Sequence, residues 1–127
     1  MGINFSDLMA AETLESTVPA PEWGGDIRLV KMSAADRWEL LEFQGKLDMN
    51  DDGTPASEQS TMLLAVEILA KTIRDEDGKK PFDTGEGREF LAVADMSLLN
   101  RISQAAIDLN GLRPEAVNEE QKDAKKN

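Results

Sequence analysis

The chain contains no cysteine, no histidine and no tyrosine. Without cysteine there is no disulfide framework, no thiol nucleophile and no thiolate zinc site. Without histidine there is no Ser-His-Asp triad, no imidazole base and no imidazole metal ligand. The absence of tyrosine removes a further acid–base group, so an enzyme built on this chain would have to work with carboxylates, lysine and arginine. Aromatic residues are scarce at 5%, which makes the core mostly aliphatic. Basic residues are the minority as well: 14 Lys and Arg stand against 25 Asp and Glu, a formal net charge of −11. That balance argues against nucleic acid, whose phosphates are bound by clustered Lys and Arg, and against an anionic membrane surface. Long apolar runs are missing too. The richest stretch, residues 62–73, is interrupted by Glu67 and Lys71 and is far shorter than the ~20 residues of a membrane helix. Residues 1–15 lack the basic start and apolar stretch of a signal peptide, so a soluble, cytosolic protein is expected.

What is present suffices for one domain. A chain of 127 residues with 40% hydrophobic content can bury a core of its own. The expected globular unit is residues 1–112, with 1–16 its loosest part and 113–127 a charged, flexible tail. Ser6 is placed to cap a short helix carrying Leu8, Met9 and Leu14. Thr17 to Met32 reads as a β-hairpin: Pro19 and Pro21 forbid helix, and Ile27 and Leu29 alternate with Arg28. Gly24 and Gly25 are expected to supply the positive-φ positions of its turn. Ser33 caps the next helix, whose apolar face is predicted from Trp38, Leu40, Leu41 and Phe43, with Asp36, Arg37, Glu39 and Glu42 outside it. That helix should end near Lys46 or Leu47. Ser57 caps the most apolar helix, with Met62, Val66, Leu69 and Ile73 at helical spacing and its stop at Asp75-Glu76-Asp77-Gly78. Thr84 caps a short helix carrying Phe90, Leu91 and Val93, which Gly85 and Gly87 weaken. Asp95 opens the last helix, in which Met96, Leu99, Ile102, Ala106 and Leu109 repeat every 3.6 residues. It ends at Asn110-Gly111-Leu112, with Gly111 left-handed and Leu112 folded back on the last turn. The fold class is therefore α+β: a mostly helical domain with an N-terminal β-hairpin packed on three or four helices.

No string of residues specifies a reaction. Asp48-Met49-Asn50-Asp51-Asp52-Gly53 matches the first half of a calcium-binding EF-hand loop, making Asp48, Asn50 and Asp52 candidate ligands. The second half departs: the bidentate acid of position 12 is replaced by Gln59, and Pro55 stands at position 8. A solvated acidic turn is the plainer reading, so no metal and no cofactor is expected. Asp75 to Gly78 reads as a turn, and no glycine pattern has the context of a phosphate loop. Trp23, beside Gly24 and Gly25, reads either as an anchor for a partner or as a lid closing the hairpin onto an aromatic-poor core. The second reading makes Trp23, Gly24 and Gly25 the turn that defines the fold. Met62 and Met96 fit core stripes, whereas Met9, Met32 and Met49 suit an adaptable contact surface.

The order of these features carries more than any one of them. Val18-Pro19-Ala20-Pro21-Glu22-Trp23-Gly24-Gly25-Asp26-Ile27-Arg28-Leu29 leads to Ser33-Ala34-Ala35-Asp36-Arg37. A long apolar helix then runs into Arg74-Asp75-Glu76-Asp77-Gly78-Lys79-Lys80-Pro81-Phe82, and Ala105 to Leu112 closes the body before a tail ending Lys125-Lys126-Asn127. Over residues 17–112 this resembles the tail assembly chaperones of long-tailed bacteriophages. Its most specific pieces are the Pro-Glu-Trp-Gly-Gly turn and the Leu-Asn-Gly-Leu helix end; the loop from Asp48 to Pro55 departs from the family. The resemblance implies a non-enzymatic protein of the infected bacterial cytoplasm. It implies binding to the tape measure protein, and to tail tube protein as a further partner, and absence from the mature virion. A calcium-binding module and a minor tail or connector subunit of the virion are the rival functions.

Many members of that family are made in two lengths by ribosomal slippage. Lys and Asn codons both begin with AA, so Lys125-Lys126-Asn127 comes from an A-rich stretch compatible with a slippery site. The expected finding in the gene is a slippery heptamer followed by an overlapping frame. Reading the nucleotides checks it, and a gene with neither feature counts against a two-length product.

Overall fold

The computed structural model describes residues 15–112 and, before them, Gly2, Asn4 and Ser6. The expected helix carrying Leu8, Met9 and Leu14 and the tail at 113–127 lie outside the described residues. Strand β1, Glu15–Ala20, pairs antiparallel with β2, Gly25–Val30, in a register that sets Val18 opposite Ile27 and Ala20 opposite Gly25. Pro19 is tolerated because β1 is an edge strand, where a missing ladder donor costs least. The connection is a 3-10 turn, Pro21–Trp23, with proline at its first position and Gly24 closing it at φ +85°. Only Gly24 takes a positive φ here; Gly25, expected beside it in the turn, already belongs to β2.

Helix α1, Ala34–Gln44, starts where expected, the Ser33 hydroxyl accepting from the Asp36 amide at 3.1 Å. Its rotation differs from expectation. Asp36 and Leu40 face the core, whereas Trp38 and Leu41 are 64% and 57% exposed. The cause lies outside the helix: the Lys80 ammonium meets Asp36 at 2.6 Å, so the carboxylate that was to face solvent turns inward, and Leu40 one turn later follows it.

Helix α2, Glu58–Thr72, is capped by Ser57 and is the centre of the core, burying Val66, Ile68, Leu69 and Ala70. It stops three residues before the acidic turn that was to end it. Ile73 passes directly into an extended conformation and, with Arg74, forms β3, Ile73–Arg74, antiparallel to β2. The sheet therefore has three strands in the order β1-β2-β3, with Val18, Ala20, Leu29 and Ile73 buried against the helices. A two-residue strand has no periodicity of its own, and Ile73 fits the helical stripe equally well. Asp75 to Gly78 is a separate tight turn. The Asp75 carboxylate accepts from the amides of Asp77 and Lys79, and Gly78 sits at φ +79°.

Helix α3, Gly85–Ala92, is capped by Thr84, and α4, Met96–Asn110, by Asp95. Leu91 on α3 and Leu98, Leu99, Ile102 and Ala106 on α4 complete the core. Expectations fail at the rim, where Phe90 too is 51% exposed. Val93 and Met96 are 83% and 57% exposed, while Met32, read as contact surface, is buried. At the far end of α4 the Leu-Asn-Gly-Leu stop closes with Gly111 at φ +64° and the Leu112 amide donating to the Ile107 carbonyl. The buried Asn110 side chain reaches further: its oxygen accepts from the Met32 amide at 2.8 Å and its nitrogen donates to the Ala106 carbonyl. It thus latches the end of the hairpin to the end of α4.

Gly87 is required rather than merely tolerated, because a Cβ there would sit 2.5 Å from Phe82 Cα and 2.8 Å from the Phe82 carbonyl carbon and oxygen. Those are backbone atoms, which yield only by moving the loop. Gly87→Ala is expected to destabilise the protein by about 1–3 kcal/mol in urea denaturation. Gly85→Ala, with nothing within 4 Å of the added carbon, is the near-neutral control.

Candidate partner-binding surface

The calcium-like loop is a small closed turn. The Asn50 amide donates to the Thr54 carbonyl, its side-chain nitrogen donates to the Thr54 hydroxyl, and Met49 bridges Pro55. The Asp52 carboxylate accepts from both the amide and the hydroxyl of Thr54, which holds it below the usual carboxyl range. Asn50 and Asp52 are thus engaged with the loop itself, and Asp48 contributes its backbone carbonyl to the Ala56 amide. Among the described residues, no group of three or more His, Cys, Asp or Glu side chains is arranged to hold a metal ion.

The Trp23 turn packs against α3 and the loop that precedes it. The Trp23 ring lies 5.9 Å from Phe82 and 5.7 Å from Phe90, and those two stack on each other at 5.7 Å. Beside it Glu22 pairs with Arg101 of α4 at 2.9 Å. Trp23 is therefore half-buried in an aromatic cluster that fastens the hairpin loop to α3, with Gly24 providing the bend behind it.

Apolar surface remains on the outside in several places. Trp38 and Leu41 lie on the outer side of α1, and Phe90, Val93 and Met96 mark the corner where α3 meets α4. A shallow groove of about 240 Å³ runs between α1, α2 and α3, lined by Phe43, Leu63, Val66 and Ala92 and edged by Glu67, Arg88 and Glu89. Another, of about 300 Å³, lies between the starts of α2 and α4, where Met62, Ala65, Met96 and Leu99 meet Glu58 and Asn100. These are open depressions suited to covering another chain's side chains rather than enclosing a small molecule.

Under the first groove lies an ionic network that the sequence reading passed over. Glu67 and Lys71, the charges that interrupt the most apolar helix, are only 8% and 2% exposed. Arg88 donates through two nitrogens to the two oxygens of Glu67, both at 2.9 Å, and also to Asp83. Lys71 lies 3.5 Å from Glu67 and extends to Glu39 on α1 at 2.6 Å. The Arg88 hydrogen bonds, helped by both cations, hold the Glu67 carboxyl below its ordinary value against the opposing effect of burial. Burial depresses the Lys71 ammonium, but Glu39 and Glu67 outweigh it and the net displacement is upward. Burial likewise pushes Asp36 up, and Lys80 with Ser33 more than reverses it. Among the described residues every carboxyl that is displaced, Glu15, Glu22, Asp36, Asp52 and Glu67, is displaced downward. The available signal was the placement of Glu67 and Lys71 at i and i+4 inside an apolar stripe, where charges persist only when paired.

Because the folded-state carboxyls of Glu67 and Asp36 are depressed, their contribution is fully present above the unfolded values and is lost as pH falls through the folded ones. Arg88→Met leaves Glu67 buried with Lys71 as its remaining cation and is expected to cost about 2–3 kcal/mol at neutral pH. The variant should also lose less stability than the parent between pH 5 and pH 3, as measured by urea denaturation across that range.

No protein-family model and no curated protein matches the chain. A solved structure does: that of the bacteriophage HK97 tail assembly chaperone, with a TM-score of 0.55 and 19% identity over 78% of this chain and 87% of that one. Likeness at that identity is a likeness of fold: this chain has the fold of a phage tail assembly chaperone.

Proposed function

We propose that the chain is a phage tail assembly chaperone that binds the tape measure protein and keeps it soluble while tail tube subunits polymerise around it. The shared fold is the observation that carries this reading. The surface supports it: shallow apolar grooves and exposed large side chains lie on a body whose charge of −11 opposes self-association. The work is done by binding, in the cytoplasm of the infected bacterium, without catalysis or cofactor, and the protein is left out of the finished virion. None of the described helices is long and apolar enough to cross a membrane.

Co-expression with the phage's tape measure gene tests the reading. The expected result is a soluble tape measure protein that co-purifies with this chain. Unchanged insolubility without co-purification overturns it. Mass spectrometry of purified particles supplies a second check, because stoichiometric presence in the virion would instead make the chain a structural tail subunit.

A further inference from the structure

Helix α1 is apolar on two sides, and only one of them meets the core. Asp36 and Leu40 face inward; Ala34, Trp38, Leu41 and Gly45 are all exposed. Their spacing of four, three and four residues brings all four onto one line along the outer side of the helix. The line spans about 16 Å at the helical rise, close to three turns. Its ends are small and its middle is large, so that Trp38 and Leu41 project between two positions where another backbone can come close. We propose that this outer stripe of α1 is the seat of an amphipathic helix from a partner protein, one whose apolar edge is flanked by lysine or arginine.

The spacing argues for a helix, since side chains repeating at three and four residues interlock with the same repeat on a facing helix. The charges argue for its basic flanks. Glu42 borders the stripe on one side and forms no ion pair among the described residues, whereas Glu39 lies further round towards the core and is held by the buried Lys71. Arg37, on the other side, is turned away with its guanidinium donating to the Asn110 carbonyl at 3.0 Å. The stripe is therefore bordered by the carboxylate of Glu42 on a body that is itself −11. A second copy would bring the same acids against each other, whereas lysine or arginine along a partner's apolar edge complements them. The inference deepens the chaperone reading by naming the surface and the partner's chemistry, and its test separates the two.

The test uses a fluorescein-labelled, three-to-four-turn Leu/Ala helix peptide carrying lysine on both flanks, and the same peptide carrying glutamate, followed by anisotropy on the full chain. The lysine peptide should bind and the glutamate peptide should not. Trp38→Ala should weaken the lysine peptide about thirtyfold or more, the loss typical of a tryptophan hot spot. Gln104→Ala, at an exposed polar position of α4 outside both grooves, should leave binding unchanged. Glu42→Lys, which keeps the apolar stripe intact, should weaken the lysine peptide several-fold; it keeps the test decisive should Trp38→Ala misfold. Equal binding of both peptides, indifference to both α1 substitutions, or a dimer of the parent chain that Trp38→Ala dissociates, each overturns the proposal. Pull-down of the tape measure protein is read separately. Capture that survives Trp38→Ala sinks this stripe as the seat and leaves the chaperone function standing. A parent chain that binds the lysine peptide through Trp38 but not the tape measure protein has the reverse consequence.

Discussion

A carboxylate inside the most apolar helix sets the terms for the rest of the molecule. Glu67 is buried, so it has to be paired, and the groups that pair with it come from different parts of the chain: Arg88 from α3 and Lys71 from the next turn of its own helix. Lys71 is itself buried and reaches out to Glu39 on α1, while Arg88 also holds Asp83 in the preceding loop. Each further connection follows from the cost of leaving a buried charge unpaired. The consequence is geometrical: the network ties α1, α2, α3 and the loop that carries Asp83 to one another. Lys80 adds a second tie by turning Asp36 inward, and that contact rotates α1.

The other half of the domain is organised by backbone connections. The α2 helix becomes β3 without an intervening residue, so the direction of the helix and the register of the sheet are coupled through Ile73, opposite Leu29. At the far side Asn110 accepts from the Met32 amide, and the aromatic cluster of Trp23, Phe82 and Phe90 clamps the hairpin loop. The β-hairpin is thus fixed at its turn, at its central strand and at its exit. A two-stranded hairpin alone is marginal in water, and these three attachments explain how a sheet with a two-residue third strand forms part of the framework.

Burying charge and exposing tryptophan are two aspects of one arrangement. Rotating α1 to bring Asp36 to Lys80 carries Trp38 and Leu41 outward, so the stabilising contact inside creates the unpartnered apolar line outside. The Met96 position similarly leaves a large side chain at the edge of a groove rather than beneath it. The proposed chaperone role has a use for such surface, and strong negative charge opposes self-association through it.

Local signals were sufficient for the caps and for the stop of the last helix. Ser33, Ser57, Thr84 and Asp95 each accept the predicted kind of bond from a first-turn amide, and Gly111 takes the left-handed position, because these choices depend on a few neighbouring residues. The α+β class and the order of hairpin and helices were legible for the same reason. Tertiary contacts decided the remainder. Whether Gly25 belongs to a turn or a strand depends on pairing with Ala20, and Ile73 becomes a strand because Leu29 is there to receive it. Which side of α1 faces inward depends on a lysine 44 residues away from Asp36. A candidate surface is the most tertiary property of all: periodicity shows that a helix has apolar faces, but only packing determines which of them is left uncovered.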